Sequence, residues 1–282
     1  MATILDGKAL AQSVKEKVKE NIANFELKYG KKVKLAVVLV GENPASQVYV
    51  RNKIKACEYV GIESLSFVLP QDSTQAQVEQ LINELATNDE VDGILVQLPL
   101  PKQIDEEYIL SKIPASKDVD GFLAENIGNL AMNKPSIVAC TPMGIMTMLK
   151  SSGVQLSGKN AVVVGRSNIV GKPISMLLLN ENCTVTICHS KTENLKEICL
   201  TADILVAAIG KTEFITGDMV KEGAIVIDVG INRTENGLKG DVHFESASQR
   251  ASFITPVPGG VGPMTIATLM ENTYKCALKK YE

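Results

Sequence analysis

The chain has 282 residues, 45% of them hydrophobic, which is enough for two domains or one large α/β domain with a sizeable core. A net charge of −3 without a basic run gives no general electrostatic case for nucleic acid, and no apolar stretch approaches the ~20 residues of a membrane span. Six cysteines with no CxxC pair, beside only two histidines, argue against a zinc cluster and for reduced thiols in a cytosolic protein; Met1 to Leu10, with Asp6 and Lys8, does not read as a signal peptide.

Asp6 can cap a first helix whose apolar positions Leu10, Val14, Val18, Ile22 and Phe25 fall mostly four apart, with Gly30 ending it. Val33 to Val40 is a nearly continuous apolar run, which suits a strand buried on both faces of a parallel sheet. Asn43 as N-cap, Pro44 in the first turn and Gly61 as a left-handed stop bound the next helix. Its stripe Val50, Ile54 and Cys57 predicts the buried face. Tyr49 and Lys53 share a face at the border of that stripe, which by itself reads as an amphipathic helix with a surface lysine, with a pair fronting a cleft the alternative. A strand over Ile62–Leu69, a helix started by Ser73 or Thr74 with Val78, Leu81, Ile82 and Leu85 inside, and a strand over Val91–Leu98 continue the strand–helix repetition of an α/β fold. Ligands collect at the carboxyl ends of such strands, where Gln97 stands as the third apolar run stops. A short helix from Asp105 to Ile113 ends before Pro114. Asp118 and Asp120, in the turn-rich Lys117–Phe122 loop, read chiefly as turn chemistry and solvated charge, with acid/base work the alternative. Glu125 to Ser136 reads as an irregular linker.

Thr141 is predicted to cap, and Pro142 to open, a helix running to Lys150 and closed by Gly153. A strand over Asn160–Val164, the loop Gly165–Gly171, a helix over Pro173–Leu179 and a strand over Thr184–Cys188 have the shape of a dinucleotide-binding βαβ unit, with phosphate at a helix N-terminus. The loop departs from GxGxxG, carrying Ser167 at the second glycine position. An NAD site places an acid at the end of the second strand for the ribose 2′-hydroxyl, and none occurs from Asn182 to Thr192. Arg166 with Cys188-His-Ser-Lys191 instead favours a 2′-phosphate, hence NADP over NAD. His189 reads as a strand-end polar residue without a catalytic role. Strands over Asp203–Ala208 and Ala224–Val229 follow, Asn236-Gly237 marks a hairpin turn, and Pro258-Gly-Gly-Val-Gly-Pro263 offers bare backbone to a planar ligand. Pro263 then starts a closing helix through about Lys280.

Six segments, spread in order over almost the whole chain, resemble the bifunctional methylenetetrahydrofolate dehydrogenase/methenyltetrahydrofolate cyclohydrolase family. They are Ile4-Leu-Asp-Gly-Lys-Ala, Tyr49-Val-Arg-Asn-Lys-Ile-Lys-Ala-Cys, Asp92-Gly-Ile-Leu-Val-Gln-Leu-Pro-Leu-Pro, Lys117-Asp-Val-Asp-Gly, Val164-Gly-Arg-Ser-Asn-Ile-Val-Gly-Lys-Pro and Pro258-Gly-Gly-Val-Gly-Pro-Met-Thr. The resemblance implies NADP-dependent oxidation of 5,10-methylenetetrahydrofolate to the methenyl cation, then hydrolysis to 10-formyltetrahydrofolate, with no metal. It implies an N-terminal folate-binding domain over 1–120, on which the helix 263–282 packs back, and a Rossmann-like NADP-binding domain over 121–262, the two flanking a cleft. By the same resemblance Lys53, its pKa lowered by partial burial, is the proton acceptor, Gln97 tunes it, and Tyr49 lies against the folate. Asp118 accepts hydrogen bonds from the pterin, beside Pro258, Gly259 and Gly260. Gly165, Arg166, Ser167, Ser190 and Ile231 match the NADP contacts, and Cys140 and Thr141 lie near the nicotinamide. The family is typically a cytoplasmic homodimer joined through its cofactor domains. Retention of Lys53 with Gln97 argues against a dehydrogenase-only relative, and the set Tyr49, Lys53, Gln97, Asp118 against a non-catalytic dinucleotide sensor.

Overall fold

In chain order the elements are β1 (Thr3–Ile4), α1 (Gly7–Tyr29), β2 (Lys34–Val40), α2 (Pro44–Val60), β3 (Glu63–Leu69), α3 (Gln75–Thr87), β4 (Gly93–Val96), α4 (Glu106–Ser111), α5 (Ala124–Ala131), α6 (Cys140–Ser151) and β5 (Asn160–Val164). There follow α7 (Gly171–Asn180), β6 (Thr184–Cys188), α8 (Leu195–Cys199), β7 (Ile204–Ala207), β8 (Ile225–Asp228), β9 (Asn232–Thr234), β10 (Gly237–Lys239), α9 (Phe244–Ser248), β11 (Phe253–Ile254) and α10 (Val261–Leu278). The structure, a computed structural model, describes residues 1–235 and 237–281. The chain divides into two compact units: Gln12–Asn129 with Pro135–Val138 and Ile266–Glu282, and Met1–Ala11 with Leu130–Lys134 and Ala139–Thr265.

The first unit is built on a parallel sheet in the order β3-β2-β4. β2 is central because Leu35 to Val40 is apolar on both faces, and every one of those residues is buried. Val78, Ile82 and Leu85 of α3 pack with Ala36, Val38 and Val40 into a core that also takes Ile94, Val96, Ile104 and Ile109. The chain leaves β2 towards β3 on one side and returns to β4 on the other. The carboxyl ends of β2 and β4 therefore diverge at a topological switch point.

α2 starts beside that point. Asn43 Oδ1 accepts from the amides of Ala45 (3.0 Å) and Ser46 (3.1 Å), and Gly61, at φ 89°, closes the helix with its amide on Cys57 O. The buried line of α2 is Ser46, Val50, Cys57 and Val60, with Ala56 beside it. Lys53 falls on this line, three residues after Val50 and four before Cys57, while Ile54 is only half-buried on its flank. The stripe is thus rotated towards Lys53, correcting the expected Val50-Ile54-Cys57 face. α3 is capped by Thr74 in a reciprocal arrangement with Gln77. Of the Glu125–Ser136 stretch expected to be irregular, residues up to Ala131 belong to α5; Ile127 and Leu130 follow Leu123 at helical spacing, and Leu130 is buried.

The second unit carries a six-stranded sheet in the order β1-β11-β8-β7-β5-β6, with every pair parallel. After β5 the chain goes outwards through α7 to β6, then crosses back to β7, so a second switch point opens between β5 and β7. β9 and β10 form an antiparallel hairpin with Thr234 opposite Gly237; of the expected Asn236-Gly237 turn, Asn236 lies outside the described residues. Thr141 does not cap α6. The helix begins at Cys140, and the Thr141 hydroxyl instead meets that of Thr265 at 2.9 Å. α10 begins at Val261, two residues before Pro263, because proline is tolerated through the first turn, where its missing N–H has no intrahelical partner.

Candidate active site

Lys53 comes from the buried line of α2, and Gln97 from the residue just past β4. Lys53 Nζ donates to Gln97 Oε1 at 3.0 Å. The Gln97 amide nitrogen is committed to Leu98 O at 2.7 Å, which fixes which end of the side chain faces the lysine. The Gln97 backbone amide extends the sheet ladder to Val38 O (2.8 Å), so the glutamine is set by the strand and not by a loose loop. Tyr49, one turn before Lys53, is 41% exposed and presents its ring at the surface.

The two carboxylates of the Lys117–Phe122 loop separate in role. Asp118 is 4% exposed, and both its oxygens are occupied: Oδ1 accepts from Gly121 N (3.0 Å), and Oδ2 from Leu123 N and Asn126 Nδ2 (each 2.9 Å). The Lys117 ammonium is buried too, and donates to the carbonyls of Leu85, Ala86 and Asn88 at the end of α3. Asn272 of α10 donates to Val119 O at 2.9 Å. The loop is therefore fastened on both sides of Asp120. The solvated-charge reading fails for Asp118 because its acceptors are spent folding the loop. Its expected pterin contact is corrected on the same ground.

Asp120 is the acid that the sequence reading paired with Asp118 but to which the family resemblance gave no role of its own. Burial pushes its carboxyl up from an ordinary 3.8 to about 6; the Lys53 charge pulls against that rise and Asp118 adds to it. The D-x-D spacing was visible, but only the packing tells which member points inward to hold the loop and which stands in the field of Lys53.

In the six-stranded unit, Gly165 follows β5 at φ 135°, and a Cβ there would lie 2.2 Å from Ala208 O, past the end of β7. Only glycine lets the two strand ends approach this closely at the switch point. Ser167 Oγ accepts from the amides of Val170 (3.2 Å) and Gly171 (3.3 Å), folding the loop onto the start of α7. Arg166 and Ser167 are exposed on that loop, and Ser190 and Lys191 are exposed at the end of β6. Ile231 shares a pocket of about 70 Å³ with Pro258, Gly259 and Gly260. Among the described residues no cluster of three or more His, Cys, Asp or Glu is placed to hold a metal ion.

Residues 5–120 match the catalytic domain of the tetrahydrofolate dehydrogenase/cyclohydrolase family, and residues 139–281 match its NAD(P)-binding domain. The chain belongs to that family. The bifunctional protein FolD of Moorella thermoacetica is 57% identical over 277 residues, 98% of this chain and 99% of that one. The crystal structure of the bifunctional FolD enzyme from Campylobacter jejuni matches with a TM-score of 0.97 and 51% identity, covering 99% of this chain and all of that one. That of the Trypanosoma brucei enzyme, complexed with NADP and an inhibitor, matches with a TM-score of 0.95 and 39% identity over 100% and 99% of the two chains. The chain is thus a bifunctional enzyme of the tetrahydrofolate dehydrogenase/cyclohydrolase family, with the two-domain α/β fold that the sequence predicts.

For this family member the remaining expected site residues are placed as follows. Cys140 is buried at the start of α6, next to the Thr141–Thr265 contact. His189 stays a turn residue: its amide donates to Thr192 Oγ1 at 2.8 Å and its Nδ1 accepts from Lys191 N at 3.2 Å.

The Asp120 shift has a stability consequence. The folded protein holds that proton more tightly than the unfolded chain does, so stability is lost as pH rises from about 4 through about 6. Asp120→Asn removes this penalty. After allowance for solvent screening, it is expected to stabilise the enzyme by about 1–2 kcal/mol at neutral pH, with the gain vanishing below about pH 4. Thermal unfolding of wild type and variant at the two pH values reads the difference directly; equal Tm values at neutral pH would contradict the burial of this charge.

Proposed function

We propose that the three-stranded unit holds 5,10-methylenetetrahydrofolate against Tyr49, Lys53 and Asp120, and that the six-stranded unit holds NADP. The observation that carries the reading is the Lys53–Gln97 hydrogen bond, with an acid beside it, at the carboxyl end of β4. NADP, when bound, supplies the hydride acceptor. Hydride departure leaves a methenyl cation, and a fully charged ammonium beside that carbon opposes it. Lys53, held by Gln97 Oε1 through its N–H, is the group placed to take a proton beside that carbon. In the second step water adds to the methenyl carbon and its proton passes to Lys53. The hydroxyl of the adduct then gives up its proton as its C–O bond becomes the formyl carbonyl, the bond from that carbon to the ring nitrogen N5 breaks, N5 takes up a proton, and 10-formyltetrahydrofolate remains. Asp120 accepts hydrogen bonds from the pterin ring, the role first expected of Asp118.

NADP in preference to NAD is supported by Arg166, Ser190 and Lys191, exposed around two strand ends with no acid from Asn182 to Thr192. Pro258, Gly259 and Gly260, with Ile231, supply backbone and apolar surface to planar rings. Cys140 and Thr141 are assigned to the nicotinamide end. We further assign the enzyme to the cytoplasm, in the one-carbon chemistry that feeds purine, methionine and histidine biosynthesis; six buried cysteines in thiol form agree with a reducing compartment. A homodimer joined through the six-stranded units is supported by the open edge at β6, where Ile187 is 42% exposed.

Wild-type enzyme supplied with methylenetetrahydrofolate and either NADP or NAD tests the first step. Supplied methenyltetrahydrofolate, followed by its loss of absorbance, tests the second. The expected result is turnover in both, with kcat/KM for NADP at least about tenfold above that for NAD. Preference for NAD would overturn the 2′-phosphate assignment, and methenyl decay no faster than the blank would overturn the hydrolytic step.

A further inference from the structure

Two buried carboxylates lie beneath the switch point of the six-stranded sheet, and neither takes part in the chemistry described above. Asp228 ends β8, and Asp241 follows the β9–β10 hairpin. Asp228 Oδ1 accepts from the amides of Gly230 (3.0 Å) and Asp241 (2.8 Å), and its Oδ2 from that of Val242 (2.9 Å). Asp241 is 0% exposed. Its Oδ2 accepts from Ile209 N (2.7 Å) and Gly210 N (2.9 Å), and its Oδ1 from Lys211 N and Asn232 Nδ2 (each 2.9 Å). Two glycines make the room: a Cβ on Gly230 would sit 2.3 Å from Asp241 Oδ1, and one on Gly240 would sit 1.7 Å from Asp228 Oδ2.

The segment gripped by Asp241 is not an arbitrary loop. Residues 209–211 continue directly from Ala208, whose carbonyl forms the wall facing Gly165 across the switch point. Gly210 and Lys211 are exposed there. The fourth donor, Asn232, is the neighbour of Ile231, which lines the pocket with the Pro258–Gly260 loop. One carboxylate thus fixes both the β7 exit and the β8 exit. It does so through three backbone amides at the β7 exit and through the side-chain amide of Asn232 beyond β8.

We propose that Asp241 is a positioning residue for the dinucleotide: its carboxylate holds the 209–211 wall and the Ile231 segment in the arrangement that receives the cofactor. The proposal rests on the NADP reading of this unit, and its test separates the two. Asp241→Asn keeps the size of the side chain but turns one acceptor into an amide that faces backbone N–H groups. The wall then loses its fixed position while the surrounding core stays filled.

Calorimetric titration of NADP into the intact enzyme is the primary measurement. Asp241→Asn is expected to raise the Kd for NADP about tenfold or more. Steady-state kinetics should show KM for NADP rising in parallel, kcat at saturating NADP falling much less, and KM for methylenetetrahydrofolate staying put. A purely structural role would lower Tm and expressed yield and leave the NADP Kd of the folded fraction unchanged; that result overturns the proposal. If Asp241→Asn does not fold, Asn232→Ala, which removes a single donor, takes its place. A threefold or greater rise in the NADP Kd then supports the proposal, and an unchanged Kd overturns it. Wild-type enzyme that binds no NADP would overturn the cofactor reading itself, whatever the variants do.

Discussion

Lys53→Gln is expected to lower hydrolysis of supplied methenyltetrahydrofolate by about 10²–10⁴-fold, the usual worth of a positioned acid/base group. The replacement amide can still donate to Gln97 Oε1, and the neighbours Val50 and Cys57 stay packed, so the change removes basicity more than shape. Hydride transfer should suffer less, because a proton acceptor is needed in the water step and not in hydride departure. NADP binding, which depends on residues of the other unit, should stay within about twofold. A variant with hydrolysis unimpaired would remove Lys53 from the mechanism and leave Asp120 as the remaining acid/base group beside the same position.

Gly165→Ala is expected to have the larger effect on the protein as a whole. The substitution demands φ 135° from an L-residue and drives a methyl group to 2.2 Å from Ala208 O, a backbone atom that cannot swing aside. Relief requires β5 and β7 to part at their carboxyl ends, where both are held in the parallel ladder. A loss of roughly 3–5 kcal/mol follows, in the range kept for strain and core disruption, which for a unit of this size lowers Tm by roughly 10 °C. NADP-induced stabilisation should disappear in the same variant. Differential scanning with and without NADP measures both quantities. A variant with wild-type Tm and an intact NADP-induced shift would mean that the strand ends are free to separate, and that the close approach is not what shapes the cofactor site.

The elements most legible in the sequence are those whose causes are local. Asn43, Pro44 and Gly61 bound α2, Thr74 and Gln77 start α3, and the apolar runs of β2 and β5 lie where continuous hydrophobicity places them. Long-range causes left weaker marks. β1 and β11 are two residues each, too short for any period to register, and they exist because each completes the other's ladder across 250 residues of chain. α5 is eight residues with a glycine inside, and it is helical because its apolar residues find partners. At the site, position along strand and helix put Lys53, Gln97 and the glycine loop at strand and helix ends, and the family resemblance supplied the roles of Lys53 and Gln97. The division of labour between Asp118 and Asp120 was not legible, since neighbouring acids in one turn have equal local chemistry. What separates them is the set of donors brought by Gly121, Leu123 and Asn126.

The short strand at the beginning of the chain bears on how the enzyme can be taken apart. Thr3 and Ile4 close one side of the six-stranded sheet by pairing with Phe253 and Ile254. Leu5 N adds a bond to Ile254 O at 2.9 Å, and Lys8 N one to Gly259 O at 3.0 Å. A fragment beginning at residue 139 keeps the whole nucleotide-binding sequence yet loses this strip, leaving β11 as a bare row of backbone donors and acceptors. Such an edge recruits other chains. Expressed alone, the C-terminal half should self-associate, and a synthetic peptide of residues 1–11 added in trans should suppress that association. A split placed elsewhere, or a circular permutant that keeps residues 1–11 joined to 139–265, is the better way to obtain the cofactor-binding half as a soluble species.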